Sequence, residues 1–473
     1  MTKGVSGRPA DTGIDTDTDT DTGAGAAAAD PVAERDCPEC GERIPVDPRF
    51  VAWCSACGWN VNPEDAAADE PEPDRIERAR RALAHRYGEQ LFAELTRLAD
   101  RSEGTDRADG PGPASPPRRG GAGALATVLA AVVHGLTAGL AVLGLWLLVA
   151  RWGVGFQPVV GAFLLGLAFL LRPRFGRVDR DRTELPLLER ADAPRLFALI
   201  DEIAESVGTR GVDLVALDTE VNASVSAYGI RRRRLLTLGM PLWTTLDPQE
   251  RIALLGHEFG HYAHGDVRHG FFVGSALESL AGWRYVLARS EDGDSLSDTF
   301  INVLTALPRW AVHGLTVLLD GATLRATQRA EYLADSAAAR LAGRDAAVGL
   351  MRRLLVSRST DTAMRREVIA ARSRTGARAR RDEQAEGLWE RVVAEGRSVP
   401  EHEYERLRRV AELRGHCVDA THPPTHLRIR ALAGGELRAP GLALAPDRAA
   451  ALDAELAGPG RKVASLLLRD TDV

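Results

Sequence analysis

The run from Ala124 to Ala150 constrains this chain most, because it contains no charged side chain at all. As a helix it is long enough to cross the ~30 Å hydrocarbon core of a bilayer. A second apolar run, Gly153 to Leu171, holds only Gln157 and Pro158 as interruptions, and Arg151-Trp152 separates the two. Uncharged runs of this length are uncommon in soluble domains, and Trp suits a membrane interface. The pattern predicts a transmembrane helical hairpin over 124–171. Arg118 and Arg119 precede it, and Arg172, Arg174, Arg177, Arg180 and Arg182 follow it, against Arg151 alone in the turn. The positive-inside rule then places both ends in the cytoplasm of a multi-pass cell-membrane protein, with the membrane lipid as one partner.

The rest of the chain is not membrane-like. Over 473 residues the mean hydropathy is −0.16 and the hydrophobic fraction 45%. That is too polar for a many-helix transporter and too apolar for a disordered chain. A net charge of −6 gives no basic field, so no nucleic acid partner is expected. No apolar stretch precedes residue 124, so a cleaved signal peptide is not expected either. Two later segments, 270–287 and 300–319, are apolar but interrupted by Glu278 and Arg284, and by Pro308, Arg309 and His313. Each reads as a span or as a buried or interfacial helix, and the central charges, costly in lipid, weigh against spanning.

Ahead of the hairpin, residues 1–35 read as a disordered tail, with Asp-Thr alternation over Asp15–Thr22. Cys37, Cys40, Cys54 and Cys57 form two C-x-x-C pairs, each followed by a glycine, Gly41 or Gly58. Four thiolates complete a tetrahedral zinc ion and leave no open position, so 36–62 reads as a structural zinc ribbon whose partner is unknown. A redox dithiol is the alternative. Reduced cysteines agree with the cytoplasmic placement, and Cys417 stands apart as an ordinary thiol. In 74–101, Leu83, Tyr87, Leu91, Leu95 and Leu98 form one stripe of an amphipathic helix suited to pack on another helix or a second copy. The Pro- and Gly-rich stretch 102–123 reads as a linker.

The chemistry lies downstream. Ala193–Val207 has helical spacing, Val212–Leu217, Ser224–Tyr228 and Leu235–Leu238 are strand candidates, and Arg231–Arg234 suits a solvated turn. Residues 344–415 read as charged helices. A further helix starts at Asp247, with Pro248 first and Glu250 at the capping-box position. On it His257 and His261, four apart, project from one face and can share one zinc. Glu258, adjacent to the metal without needing to be a ligand, is then placed to take a proton from zinc-bound water. Glu331, in Arg329-Ala330-Glu331-Tyr332-Leu333-Ala334-Asp335, can complete a His-His-Glu site that leaves a fourth position open. Asp335, one turn on, can orient a ligating imidazole. His264 and His269 read as surface histidines, and His426 receives no role.

His257-Glu258-Phe259-Gly260-His261, then Glu331 with Ala334-Asp335, then Thr421-His422-Pro423-Pro424-Thr425, preceded by Val221-Asn222-Ala223-Ser224 and Gly229, resemble the HtpX-like and CAAX prenyl protease (Ste-type) membrane zinc metallopeptidases. The resemblance covers roughly 184–435 and leaves 436–473 as a C-terminal extension. It implies an α+β, mostly helical, gluzincin-type metallopeptidase domain with a small sheet. It further implies that Asp335 orients His257, that His422 donates a hydrogen bond to the tetrahedral oxyanion, and that Asn222 lies on an edge strand that holds substrate backbone. The ribbon and acidic tail are outside the family plan and read as an accessory recruitment module. The sequence thus points to a membrane-anchored zinc endopeptidase with one catalytic and one structural zinc. Its expected substrates are polypeptides, damaged or misassembled membrane proteins among them. The alternative is a catalytically silent membrane-anchored zinc-ribbon scaffold or protein-binding module. A prenylated-peptide CAAX protease is a third, for which the chain has too few clear spans.

Overall fold

The computed structural model describes residues 33–63, 75–103, 121–150, 155–172, 184–229, 231–263, 266–288, 296–373, 384–414, 422–435, 437 and 439–469. The Asp-Thr tail, most of the linker, the Arg151-Trp152 turn, the flanking arginines other than Arg172, and Cys417 lie outside the described residues. The chain divides into two compact units, Met1–Asn60 and Val61–Val473.

The first unit is built on one hairpin, β1 (Ala33–Asp36) and β2 (Arg43–Val46), paired antiparallel with Ala33 opposite Val46 and Asp36 opposite Arg43. The strand therefore begins inside the segment expected as tail: Ala33, Glu34 and Arg35 supply the backbone partners that Val46, Pro45 and Ile44 need. Its small core is Ile44 with Cys37 and Cys54, against which Trp59 packs.

The second unit starts with α1 (Arg75–Glu103), α2 (Gly121–Ala150) and α3 (Gln157–Leu171). The linker is thus shorter than expected, since α1 runs to Glu103 and α2 begins at Gly121. α2, with 30 residues, extends about 45 Å and is the one described helix both long and apolar enough to cross a membrane. α3 forms only from Gln157, after Gly155 with φ +55°, and its 15 residues reach about 22 Å, short of a bilayer core. The two helices touch backbone to backbone: a Cβ on Gly161 would stand 2.7 Å from the Gly144 carbonyl oxygen.

Next come β3 (Leu187–Leu188), α4 (Pro194–Ser206), β4 (Leu214–Asp218), β5 (Ala223–Tyr228) and β6 (Arg233–Gly239). The sheet order is β3-β4-β6-β5, with β4 and β6 parallel and β5 antiparallel on β6, so β5 is an edge. Gly229 at φ +67° and Arg232 at φ +51° turn β5 into β6, where Arg231, Arg232 and Arg233 are exposed, as the sequence leads one to expect of a solvated turn. Helices complete the unit: α5 (Met240–Thr245), α6 (Pro248–Ala263), α7 (Asp266–Val286), α8 (Leu296–Leu304), α9 (Ala306–Ala342), α10 (Arg344–Leu355), α11 (Ser357–Ser373), α12 (Leu388–Arg397), α13 (Glu401–Arg414), α14 (Thr425–Ala433) and α15 (Pro446–Arg469). The result is α+β and mostly helical.

Two cores organise this unit. In one, Ala126, Ala130 and Val133 of α2 meet Ala276, Leu280 and Trp283 of α7 and Val312 and Leu319 of α9. Its outside stays apolar, with Val132, Val142, Val149, Phe163 and Trp310 about half exposed or more. The two interrupted segments of the sequence are thus helices of this bundle, and Glu278 stands on its outer side. The second, larger core joins α4, the sheet, α5, α6, α10 and α15. α15 is no appendage, because Leu452, Leu456, Val463 and Leu467 are buried there. Both Glu455 oxygens accept the free N–H groups of Arg195 and Leu196 at the start of α4, at 3.0 and 2.9 Å. α9, with 37 residues, passes from the first core into the second.

The stripe expected on α1 is rotated by about one residue. Ala84, Gly88 and Leu91 are its most buried face, while Leu95 is exposed. Small side chains let α1 approach closely: a Cβ on Gly88 would stand 2.8 Å from Pro424 Cδ. Gln328 Nε2 and Tyr332 Oη of α9 donate to the Ala84 and Gly88 carbonyls.

Candidate active site

α6 starts as a capping box implies. Glu250 accepts from the Asp247 N–H at 2.9 Å, while the Asp247 carboxylate turns outward toward Arg353 and Arg397. The helix is buried almost throughout from Glu250 to Gly260 and lies along α9 on a seam of small residues. A Cβ on Gly260 would stand 3.0 Å from Ala334 Cα, and one on Gly256 3.3 Å from Ala338 Cα. That closeness brings His257 and His261 of α6 to Glu331 of α9.

His257 Nε2 and His261 Nε2 are 3.2 Å apart, and each lies 3.5 Å from a Glu331 oxygen. The two distances run to different carboxylate oxygens, His257 to Oε2 and His261 to Oε1. A tetrahedral ion with bonds of about 2.0–2.1 Å sets its donors about 3.4 Å apart, so the two nitrogens and one oxygen of Glu331 could share a zinc ion. Glu331 Oε2 is buried without a hydrogen bond, with Arg428 Nη2 3.3 Å away, so it keeps a lone pair that a metal could take. Asp335 Oδ1 lies 3.0 Å from His257 Nδ1, on the far side of that ring. The field there favours positive charge. Burial alone would lower His257, yet Asp335 and Glu331 push it up to about 10. Burial pulls His261 down to about 4, with the neighbouring His257 acting in the same direction. Burial opposes ionisation of Glu331 as well, but His257 and Arg428 hold it down at about 2.

Glu258 points to the cleft from the same helix, and burial pushes it up to about 7, offset in part by His257. His422 Nε2 lies 3.3 Å from Glu331 Oε1, so the histidine before the two prolines does join the site. Asn222 directly precedes β5 instead of lying within it, and its side chain accepts from the Ala223 N–H at 2.8 Å. With Ser224 and Val225 it lines a cavity of about 900 Å³ that also contains His257, Glu258, His261 and His422.

Arg428 went unnoticed in the sequence. It is 2% exposed and donates to both Asp335 oxygens at 2.8 and 2.6 Å, with Glu331 Oε2 3.3 Å away. A signal was present: Arg428 shares the buried face of α14 with Leu432, and an arginine on a core face requires a carboxylate. His426, given no role, is buried on the same helix.

In the first unit the four sulfurs converge too. Cys37 and Cys57 Sγ are 3.7 Å apart, and Cys40 and Cys54 Sγ 3.6 Å, where four thiolates on zinc stand about 3.8 Å apart. Each pair sits in the same turn: Gly41 N–H donates to the Cys37 carbonyl and Gly58 N–H to the Cys54 carbonyl, at φ of +73° and +78°. The Cys57 and Ala56 N–H groups draw Cys54 down to about 7, toward the thiolate a metal needs.

Two histidines and a carboxylate from neighbouring helices could hold one metal ion, with a second carboxylate at the cleft, a donor set compatible with a metallopeptidase. Comparison with known proteins agrees. The model of peptidase family M48 matches residues 190–436, and the chain belongs to that family of zinc-dependent peptidases, in its HtpX-like branch. Protease HtpX of Pseudomonas putida (strain GB-1) is 25% identical over 171 residues, 34% of this chain and 56% of that protein. Protease HtpX of Erwinia tasmaniensis is 27% identical over 173 residues, 34% of this chain and 58% of that protein. A protease HtpX homolog of Methanothermobacter thermautotrophicus is 27% identical over 198 residues, 40% and 68% of the two chains. The chain spans little more than half the length of the two bacterial relatives. No solved structure matches it.

Proposed function

We propose that this protein is a membrane-anchored zinc endopeptidase, and the mutual spacing of His257, His261 and Glu331 beside Glu258 carries that reading. These three residues hold the catalytic zinc. When bound, the metal polarises the scissile carbonyl and makes water a better nucleophile at neutral pH. Glu258 takes the proton of the attacking water and passes it to the leaving amine, a task suited to a carboxyl raised toward neutrality by burial. Asp335 holds the His257 ring, and Arg428 holds Asp335 and Glu331 in place. His422 donates to the oxygen that gains charge in the tetrahedral transition state. Extended substrate adds as a strand beside β5, with Asn222 at its end.

Cys37, Cys40, Cys54 and Cys57 hold a second, structural zinc that makes the first unit a zinc ribbon for an unidentified protein partner. The apolar outside of the α2, α3, α7 and α9 bundle sits in lipid, with the N-terminus and catalytic part cytoplasmic. Substrates are unfolded or misassembled polypeptides, in keeping with membrane-protein quality control.

The test is cleavage of an unfolded model protein by detergent-purified wild type and Glu258→Gln, with zinc added. Cleavage by wild type alone supports the peptidase. Binding of the unfolded protein without cleavage by either would favour the silent scaffold.

A further inference from the structure

The cavity that β5 lines is also lined by α11, which presents Ser357, Asp361, Met364 and Arg365 to it. Positions i, i+4, i+7 and i+8 share one helix face. Asp361 is half-buried, and with no described residue does it form a hydrogen bond or an ion pair. Burial raises its carboxyl above the usual range, and Arg365 and Arg358, about one turn away on either side, offset this only in part. Apolar side chains surround the same cavity, among them Leu350, Met351 and Leu354. A carboxylate partly removed from water and without a hydrogen bond among the described residues is costly, and such groups persist where a ligand completes them.

We propose that Asp361 makes the catalytic cleft selective for a substrate segment with a lysine or arginine at one position. This rests on the peptidase reading above. The aliphatic stem of such a side chain fits walls of Leu and Met, and its charged end replaces the water lost around Asp361. A leucine-like side chain fills the walls but strands the carboxylate. A glutamate meets like charge. The cleft therefore ranks basic above apolar above acidic side chains at that position.

The experiment uses the full-length, detergent-purified, zinc-loaded enzyme and quenched-fluorescent peptides that differ at one position at a time, carrying Lys, norleucine or Glu. Wild type is expected to prefer Lys over norleucine by about tenfold or more at one position, the effect of a charge-assisted hydrogen bond. Asp361→Asn is expected to bring that ratio near one, and Asp361→Arg to favour Glu. A misfolded variant would slow all peptides together and leave the ratios alone. Equal ratios in wild type and Asp361→Asn would overturn the assignment, for Asp361 would then be satisfied by a swing of Arg365. If wild type cuts no peptide, the peptidase reading fails. Anisotropy titration of the same labelled peptides still decides for Asp361: Lys preference in binding, lost in Asp361→Asn, supports it, and equal binding rejects it.

Discussion

The four-cysteine cluster of the first unit and the His-His-Glu cluster of the second both space their donors as a tetrahedral ion would. They are built in opposite ways. The cysteines come from two copies of one short turn, and their unit has a small core of Ile44, Trp53, Cys37 and Cys54, with Trp59 packed nearby. The His-His-Glu cluster is held from outside, by two helices in a large core and by a buried arginine and aspartate behind the three side chains. A local site depends on its metal for its fold, whereas a site framed by a preformed core keeps its fold and uses the metal for chemistry. The first offers four protein donors and the second three.

The largest effect is expected where chemistry is separated from binding. Glu258→Gln should lower turnover by about 10²–10⁴-fold or more with zinc content unchanged, measured by peptide cleavage beside metal analysis. Loss of metal together with activity would make Glu258 a ligand, and both clusters would then offer four protein donors. Arg428→Met comes next. It leaves Asp335 and Glu331 buried without their cation and should cost about 3–5 kcal/mol of stability in urea unfolding of the second unit. A variant as stable as wild type would show that the ligands do not need a frame.

A metal count sharpens the contrast. Wild type should carry two zinc ions per chain. Cys54→Ser should lose one and unfold the first unit, seen as protease sensitivity near residues 33–63. Asp335→Asn should weaken the other site by about 10–100-fold in a chelator titration while the second unit stays folded. Equal collapse of both units on chelation would erase the difference.

This contrast also explains what was legible in the sequence. The cysteine pairs, the helix of His257 and His261 and its Glu250 cap show because each is a local pattern. Glu331 and Asp335 were recognisable by their one-turn spacing once the histidines were known. Arg428 was not, because its role depends on α14 packing against α9, which no local period records. The same holds for the buried face of α1, chosen by the close approach to Pro424, and for α15, whose Glu455 finishes a helix far earlier in the chain. The second apolar run gave its composition correctly but not its helical length, since Gly155 and Pro158 delay the start of α3.

The smallest effect comes from making one change, glycine to alanine, at both sites. At Gly58 there is open space for a Cβ, but φ is +78°, so the cost is backbone strain of about 1–2 kcal/mol in a turn that positions Cys54 and Cys57. At Gly260 the backbone is helical, and alanine gains about 1 kcal/mol in helix propensity. Its Cβ, however, would stand 3.0 Å from Ala334 Cα and 3.2 Å from Ala337 Cβ, so α6 must move a few tenths of an ångström off α9. Stability should then change by less than about 1 kcal/mol, because propensity and overpacking oppose each other. Zinc affinity should nevertheless fall severalfold, since the histidines and Glu331 ride on the two helices that separate. Gly58→Ala should show the reverse, a destabilised first unit with peptidase kinetics unchanged. Thermal unfolding and chelator titration of the two variants, run together, decide whether strain in a turn or distance between helices sets each site.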